Sequence, residues 1–141
     1  MGRRQPQVDQ QPLGVRVSGF KGQALATVGR VFGPHIPTVT TAEIPATAYL
    51  LDVREPEEWE AGHAPGAHHV PMMDIPVRLS ELPTEGDIVV VCRSGGRSGQ
   101  VVAYLLGNGW ENVSNLDGGM QDWAATGREL VSEDGQPARV L

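Results

Sequence analysis

One short span of the sequence combines a buried strand, a glycine-rich turn and a helix. Ile88–Val91 is an uninterrupted apolar run, three of its four residues being valine, and it predicts a strand buried on both faces. Residues 100–106 are mostly apolar and are followed by Gly107, which predicts a helix with a glycine stop. Cys92, the only cysteine of the chain, therefore lies where a central strand ends and a tight loop opens a helix.

The loop that follows Cys92 has the features that stabilise an anion. Four residues, two of them glycine, separate Cys92 from Arg97, and so short a loop can turn several backbone N–H groups inward. The helix N-terminus, Arg93 and Arg97 add positive charge, and no acidic residue lies between Ile88 and Trp110. We therefore expect a lowered pKa for the Cys92 thiol. The predicted site consists of Cys92 as the nucleophile and of the loop residues Arg93, Ser94, Gly95, Gly96, Arg97 and Ser98.

Two other interpretations of this span are weaker. A lone cysteine after a buried strand is usually a small core residue, but a core cysteine needs neither two arginines nor two glycines beside it. A glycine-rich loop also suits nucleotide phosphates, yet the sequence contains neither G-x-x-x-x-G-K-[ST] nor G-x-G-x-x-G. A reactive thiolate is therefore the preferred interpretation.

Strand-like and helix-like segments alternate along the rest of the chain. This alternation predicts an α/β fold, a single domain with a mainly parallel central sheet flanked by helices on both faces. Because ligands bind outside the carboxyl ends of parallel strands, Asp52, Cys92 and Asp117–Gly119 are expected on one rim of the sheet. The predicted strands are 36–40, 49–53, 67–70, 88–91 and 112–116, and the predicted helical segments are 41–44, 55–61, 72–79, 100–106 and 120–125.

The two ends of the chain differ from its middle. Residues 1–35 are rich in Gln, Pro and Gly and carry a net charge of +4, whereas the remaining residues carry −10. We predict an N-terminal extension over 1–35 that is partly disordered, a folded domain over 36–130, and a loose C-terminal tail over 131–141. An organellar transit peptide in the extension stays open, because this segment carries arginines and little acid.

Composition restricts the partners of this chain. The acidic body argues against nucleic-acid binding, and no apolar run reaches the roughly 18 residues that cross a membrane. A single cysteine excludes an internal disulfide and fits a reducing compartment, so we expect a cytoplasmic location. Oligomeric state has no signal in the sequence.

Three blocks of residues carry a resemblance to a known family. In order and spacing they resemble a single-domain rhodanese, a thiosulfate or persulfide sulfurtransferase, over about residues 36–130. Ala64, where the family more often has isoleucine, and a short segment between the first two strands are the departures. The blocks are Leu51–Glu55 with Glu58–Trp59 and Gly62–Ala67; then Cys92–Ser98; then Gly109–Trp110, Val113, Leu116, Gly118–Gly119 and Trp123.

The resemblance implies a role for each residue of the loop. Cys92 would carry a persulfide, the loop N–H groups would surround its outer sulfur, Arg97 would bind the sulfonate of the donor, and Arg93 would lie at the entrance. The implied partners are a small sulfur donor and a thiol or cyanide acceptor, or a sulfur-accepting protein, and no cofactor is needed. Asp52 and Arg54 are expected to support the site as a structural ion pair. The histidines lack metal-ligand spacing, so no metal site is expected, and His63 is expected to anchor a turn.

Two other functions compete with sulfur transfer. Cysteine phosphatases and arsenate reductases resemble this loop but have five residues between cysteine and arginine, which widens the cradle for a tetrahedral oxyanion. Here the spacer has four residues, a size better suited to one sulfur atom. A non-catalytic rhodanese-like interaction module is the other alternative, but such modules typically lose the cysteine that this chain retains.

Overall fold

A central sheet of five parallel strands organises the structure. The structure is a computed structural model that describes residues 35–141, so the disorder predicted near the N-terminus lies outside the described residues. The strands lie in the order β1-β5-β4-β2-β3, and all four neighbouring pairs are parallel. The strands are β1 (Thr38–Val39), β2 (Tyr49–Asp52), β3 (His68–His69), β4 (Ile88–Val91) and β5 (Val113–Leu116).

Strand β4 lies at the centre of the sheet and is buried along its whole length. Its residues alternate between the two faces. Ile88 and Val90 pack into one hydrophobic cluster, while Val89 and Val91 pack into the other. Because both faces are covered, no polar residue is tolerated in this strand, which explains the apolar run in the sequence. The predicted α/β architecture is therefore confirmed.

Helices cover the two faces of the sheet. They are α1 (Pro56–Ala61), α2 (Gly96–Gly107) and α3 (Gly119–Ala125). Val101, Val102 and Leu105 of α2 join the cluster that contains Val90, whereas Met120 and Trp123 of α3 join the opposite cluster. This division places the start of α2 and the start of α3 on opposite sides of the end of β4.

Several predicted elements differ from the observed ones at their ends. Helix α2 begins at Gly96, four residues before the predicted start, because the loop glycines enter the first helical turn. The predicted helix 72–79 is instead two 3₁₀ segments, Met72–Val77 and Leu79–Glu81. Pro76 lacks the N–H that an α-helix would need there. The predicted helical turn near 41–44 is a 3₁₀ segment over Thr41–Glu43.

The C-terminal segment is packed against the domain, unlike the loose tail expected from the sequence. Val131 forms an antiparallel bridge with His63, and the Arg139 N–H donates to the Ala61 carbonyl at 3.0 Å. Val140 packs against the second hydrophobic cluster. These contacts are mainly backbone hydrogen bonds, which leave no periodic pattern in the sequence, so the expectation was wrong for a physical reason. The boundary at residue 130 stays a prediction.

Within residues 35–141, no helix has the length and apolar character needed to span a bilayer.

Candidate active site

The carboxyl ends of the central strands form the rim on which Cys92 lies. Cys92 directly follows β4, and Asp52, the last residue of β2, pairs with Val91. The start of α3 closes the rim, because the Met120 N–H donates to the Cys92 carbonyl at 2.8 Å. The three strand ends predicted to meet are thus brought together.

Gly119 allows α3 to approach the loop this closely. Its φ is +56°, a left-handed conformation, and a Cβ atom at this position would lie 2.5 Å from the Cys92 carbonyl oxygen. Both the conformation and the contact exclude any larger residue. The glycine pair noted in the sequence therefore has a packing role at the site.

The Cys92 side chain is buried and held by two hydrogen-bond donors. The residue is 1% exposed, and its Sγ lies 3.1 Å from the Gly95 backbone nitrogen and 3.2 Å from the Ser98 hydroxyl oxygen. Gly95 has a φ of +116°, which turns the loop backbone toward the sulfur. The four-residue spacer of the sequence therefore forms a compact cradle around one sulfur atom.

The pKa of the Cys92 thiol is lowered by this cradle. Burial acts in the opposite direction and raises the pKa, but the hydrogen bonds to the sulfur together outweigh it. The Ser98 hydroxyl contributes most, followed by the backbone amides of Ser98, Gly95 and Ser94. The direction agrees with the expectation from the sequence. The inward backbone N–H groups expected from the sequence contribute to the lowered pKa, whereas the two arginine charges are not among its main causes.

Arg97 lies at the edge of this cradle and is paired with a carboxylate. Its NH1 and NH2 groups donate to the two carboxylate oxygens of Glu58 in α1, at 2.8 and 3.0 Å. The hydrogen bond from Arg97 is the main cause that lowers the pKa of Glu58, and the same bond raises the pKa of Arg97. The predicted role of Arg97 in binding a donor sulfonate stays a prediction.

Sequence reasoning missed Glu58 as a member of the site. It lies in the acidic helix that follows β2, and the sequence analysis named it as part of the family resemblance without giving it a role in the site. The predicted placement of Asp52 and Cys92 on one rim could have indicated that Glu58 lies near the Cys92 loop. Helix α1 starts just beyond the end of β2, so its first turn faces the loop that follows β4.

Arg93, Ser94 and Gly96 are exposed at the outer side of the loop. The Arg93 Nε–H donates to the carbonyl oxygen of Leu141 at 2.8 Å, so the C-terminal segment reaches the active-site loop. The location of Arg93 at the entrance is consistent with its predicted place. Its part in substrate binding stays a prediction.

Asn115 of β5 is a second residue that the sequence did not single out. Its Oδ1 accepts a hydrogen bond from the Ser98 hydroxyl, and its Nδ2 donates to the Gly95 carbonyl at 3.1 Å. Ser98 is fully buried and has one hydroxyl proton for two acceptors, Asn115 Oδ1 and Cys92 Sγ. The position of Asn115, a polar residue within the predicted strand 112–116, could have indicated that its side chain has a hydrogen-bonding role.

Asp52 and Arg54, the predicted supporting pair, form a fully buried ion pair. The Arg54 Nε and NH2 groups donate to the two Asp52 oxygens at 2.9 and 2.7 Å, and NH2 also donates to the Gly62 carbonyl at 2.8 Å. Since Gly62 follows α1, the pair ties the end of β2 to the end of this helix. This position orients α1, and with it Glu58, against the site.

His63 lies beside the same helix and contacts the C-terminal segment. Its ring stacks on Trp59 with centroids 3.5 Å apart, and its Nε2 lies 2.8 Å from a Glu133 carboxylate oxygen. These contacts are those of a residue that anchors the turn, as predicted. In the part of the chain that the structure describes, no group of three His, Cys, Asp or Glu side chains is arranged to hold a metal ion.

Comparison with known proteins decides the family. A family model described as the rhodanese-like domain matches residues 40–126, which include the strand ends, the Cys92 loop and the start of α3. This chain belongs to the rhodanese-like domain family. The family assignment predicted from the three sequence blocks is confirmed.

Relatives of this rhodanese-like chain include proteins named for sulfur chemistry. A sulfurtransferase of Allochromatium vinosum is 45% identical over 86 residues, which cover 61% of this chain and 80% of that protein. A putative sulfur carrier protein of Bacillus subtilis is 39% identical over 74 residues, which cover 52% of this chain and only 40% of that protein. These relatives support sulfur transfer as the general activity.

A solved structure supports the fold of the domain. A rhodanese-like domain protein from Staphylococcus aureus is 34% identical, with a TM-score of 0.61, and the match covers 69% of this chain and 98% of that one. The five-stranded parallel sheet with helices is therefore the rhodanese-like architecture.

Proposed function

We propose that this rhodanese-like domain is a sulfurtransferase that carries sulfane sulfur as a persulfide on Cys92. The donor is thiosulfate or a related persulfide, and the acceptor is a thiol, cyanide or a sulfur-accepting protein. The observation that carries the proposal is the pair of donors, the Gly95 N–H and the Ser98 hydroxyl, directed at the Cys92 sulfur. They stabilise the thiolate, which is the nucleophilic form of cysteine.

The proposed first half-reaction uses this thiolate. Cys92 attacks the outer sulfur of thiosulfate, the S–S bond of the donor breaks, and sulfite leaves with the electron pair of that bond. The product is a Cys92 persulfide anion, so the total charge is unchanged. We expect the amides and hydroxyl that contact the thiolate to stabilise the new anionic sulfur as well.

The second half-reaction regenerates the thiolate. Cyanide or an acceptor thiolate attacks the outer sulfur of the Cys92 persulfide, and the Cys92 sulfur leaves with the electron pair. With cyanide the product is thiocyanate, and the atoms and charges balance without a cofactor. The relative named as a putative sulfur carrier supports a protein as the acceptor. A reducing cytoplasm, in which the thiol stays available, is the proposed location.

Mass spectrometry of the intact protein tests the proposal. After incubation with thiosulfate, we expect a gain of about 32 Da on Cys92, one sulfur atom, and its loss on addition of cyanide. Cys92→Ser should show neither step. Sulfur turnover that persists in Cys92→Ser would contradict the proposal, and a wild-type protein that gains no sulfur from thiosulfate or an alkyl persulfide would favour the interaction-module alternative.

A separate measurement tests for phosphatase activity. Because the cradle is closed by a four-residue spacer, we expect no hydrolysis of an aryl phosphate above background. Aryl phosphate hydrolysis by the wild type that disappears in Cys92→Ser would overturn the sulfurtransferase assignment.

A further inference from the structure

The Glu58–Arg97 ion pair lies at the edge of the Cys92 cradle and uses one N–H donor on each of the two terminal nitrogens of the arginine. Both guanidinium NH₂ groups point at the carboxylate, and the side chains are 33% exposed for Arg97 and 15% exposed for Glu58. Two parallel hydrogen bonds fix the plane of the guanidinium as well as its charge. Arg97 is therefore committed to a partner before any substrate arrives.

The charges around the cradle nearly cancel. Glu58 neutralises Arg97, and the buried Arg54 is matched by Asp52. Arg93 adds one positive charge at the outer side of the loop, but the Cys92 thiolate offsets it. A small dianion that enters this region meets little net attraction, although the sequence suggested a strongly cationic loop.

We propose that Glu58 is a specificity-determining residue, which neutralises Arg97 and thereby selects against dianionic donors such as thiosulfate in favour of thiol persulfides. The inference rests on the proposed function and narrows its donor class. A thiol persulfide, R–S–SH, has no sulfonate and therefore needs no free guanidinium.

The sulfur transfer from such a donor is balanced without another reactant. The Cys92 thiolate attacks the terminal sulfur of R–S–SH, and the S–S bond of the donor breaks. The thiolate RS⁻ leaves with the electron pair, while the proton stays on the transferred sulfur. The donor R–S–SH brings no charge, and the negative charge of the Cys92 thiolate leaves on RS⁻, so the step places no second charge beside Glu58.

Steady-state kinetics of Glu58→Gln and Glu57→Gln test the proposal. Glu58→Gln removes the charge, but its amide oxygen can still accept the Glu55 N–H that Glu58 Oε1 accepts at 2.9 Å, so α1 keeps its cap. Glu57 is the matched control, because it is an exposed carboxylate in the same helical turn. We expect the KM for thiosulfate to fall at least about fivefold in Glu58→Gln, with little change in kcat, since one unit of repulsion near a dianion is removed.

Two further measurements, one with a donor of lower charge and one at high salt, test whether the effect of Glu58→Gln is electrostatic. The KM for the persulfide of 2-mercaptoethanol should change less than the KM for thiosulfate in Glu58→Gln, because that donor carries at most one negative charge whereas thiosulfate carries two. The fall in the KM for thiosulfate caused by Glu58→Gln should be smaller at about 1 M salt, where the screening length falls to about 3 Å. An equal fall in KM with both donors, or an equal fall in the KM for thiosulfate in Glu57→Gln, would overturn the proposal.

A binding measurement separates this proposal from the sulfurtransferase assignment. In a Cys92→Ser background no sulfur can be transferred, so calorimetric titration with thiosulfate reports only affinity. We expect Cys92→Ser/Glu58→Gln to bind thiosulfate at least about fivefold more tightly than Cys92→Ser/Glu57→Gln. Equal affinities would contradict the role of Glu58, whereas failure of wild-type Cys92 to gain sulfur would contradict only the catalytic proposal.

Discussion

The Cys92 cradle and the Glu58–Arg97 pair stabilise charge in two different ways. The cradle is buried and uses neutral donors, two of them at 3.1 and 3.2 Å from the sulfur, whereas the pair is partly exposed and matches one full charge with another. Neutral donors in a low-dielectric site hold an anion without adding net charge. The difference predicts that separate residues control the ionisation of Cys92 and the proposed electrostatic selection of donors.

The largest effect on ionisation is expected from Ser98→Ala. This change removes the hydroxyl that contributes most to lowering the pKa of Cys92. A hydrogen bond to a charged group is worth about 1.5–3 kcal/mol, so the rate of Cys92 alkylation by iodoacetamide at pH 7 should fall about tenfold or more. The full rate–pH profile, recorded by intact mass, should shift to higher pH.

Ser94→Ala is the control for this change. Ser94 is an exposed residue of the same loop, and alanine keeps its backbone N–H, so the alkylation profile should stay close to that of the wild type. A profile in Ser98→Ala that matches the wild type would show that amides alone ionise Cys92.

The double variant Glu58→Gln/Arg97→Gln tests whether the ion pair contributes to the ionisation of Cys92. Because it removes one charge of each sign, the alkylation rate of Cys92 at pH 7 should change by less than about twofold. Arg97→Gln alone leaves Glu58 unpaired near the thiolate and should slow alkylation more, by about threefold. A double variant that slows as much as Ser98→Ala would mean that the pair, and not the cradle, sets the ionisation of Cys92.

The fold and the position of Cys92 at the end of β4 were predictable because their signals are local. A run of four buried residues marks β4, and glycines beside a lone cysteine mark the loop. The partners of the loop were not predictable in the same way. Glu58 and Asn115 are 34 and 23 residues from Cys92 in sequence and reach the site only through the packing of α1 and β5.

The C-terminal segment shows a second limit of sequence reasoning. Its amides bond to Ala61, Glu60 and His63 through carbonyl groups, and any residue type supplies those groups. Nothing in residues 131–141 therefore distinguishes a packed segment from a loose one.

The arginines of the loop show a third limit, because their number was evident from the sequence but the ion pair between Arg97 and Glu58 was not.

The smallest expected effect is on stability, and it depends on pH. The pKa of Glu58 is lowered in the folded chain, chiefly by the hydrogen bond from Arg97, so the pair contributes stability above the ordinary pKa of a glutamate. That contribution is lost as the pH falls through the lowered value, because protonated Glu58 no longer pairs with the guanidinium. In Glu58→Gln the charge is absent at every pH.

Urea unfolding should therefore show the wild type more stable than Glu58→Gln at pH 7, by less than about 1 kcal/mol for a partly exposed pair. The difference should close as the pH falls below about 4, near the ordinary glutamate value. Glu57→Gln serves as the control, since Glu57 lacks this partner in the described structure and should show no such closing difference. A gap between wild type and Glu58→Gln that is constant from pH 7 to pH 3 would mean that the glutamine changes packing or capping of α1, and that the ion pair adds nothing to stability.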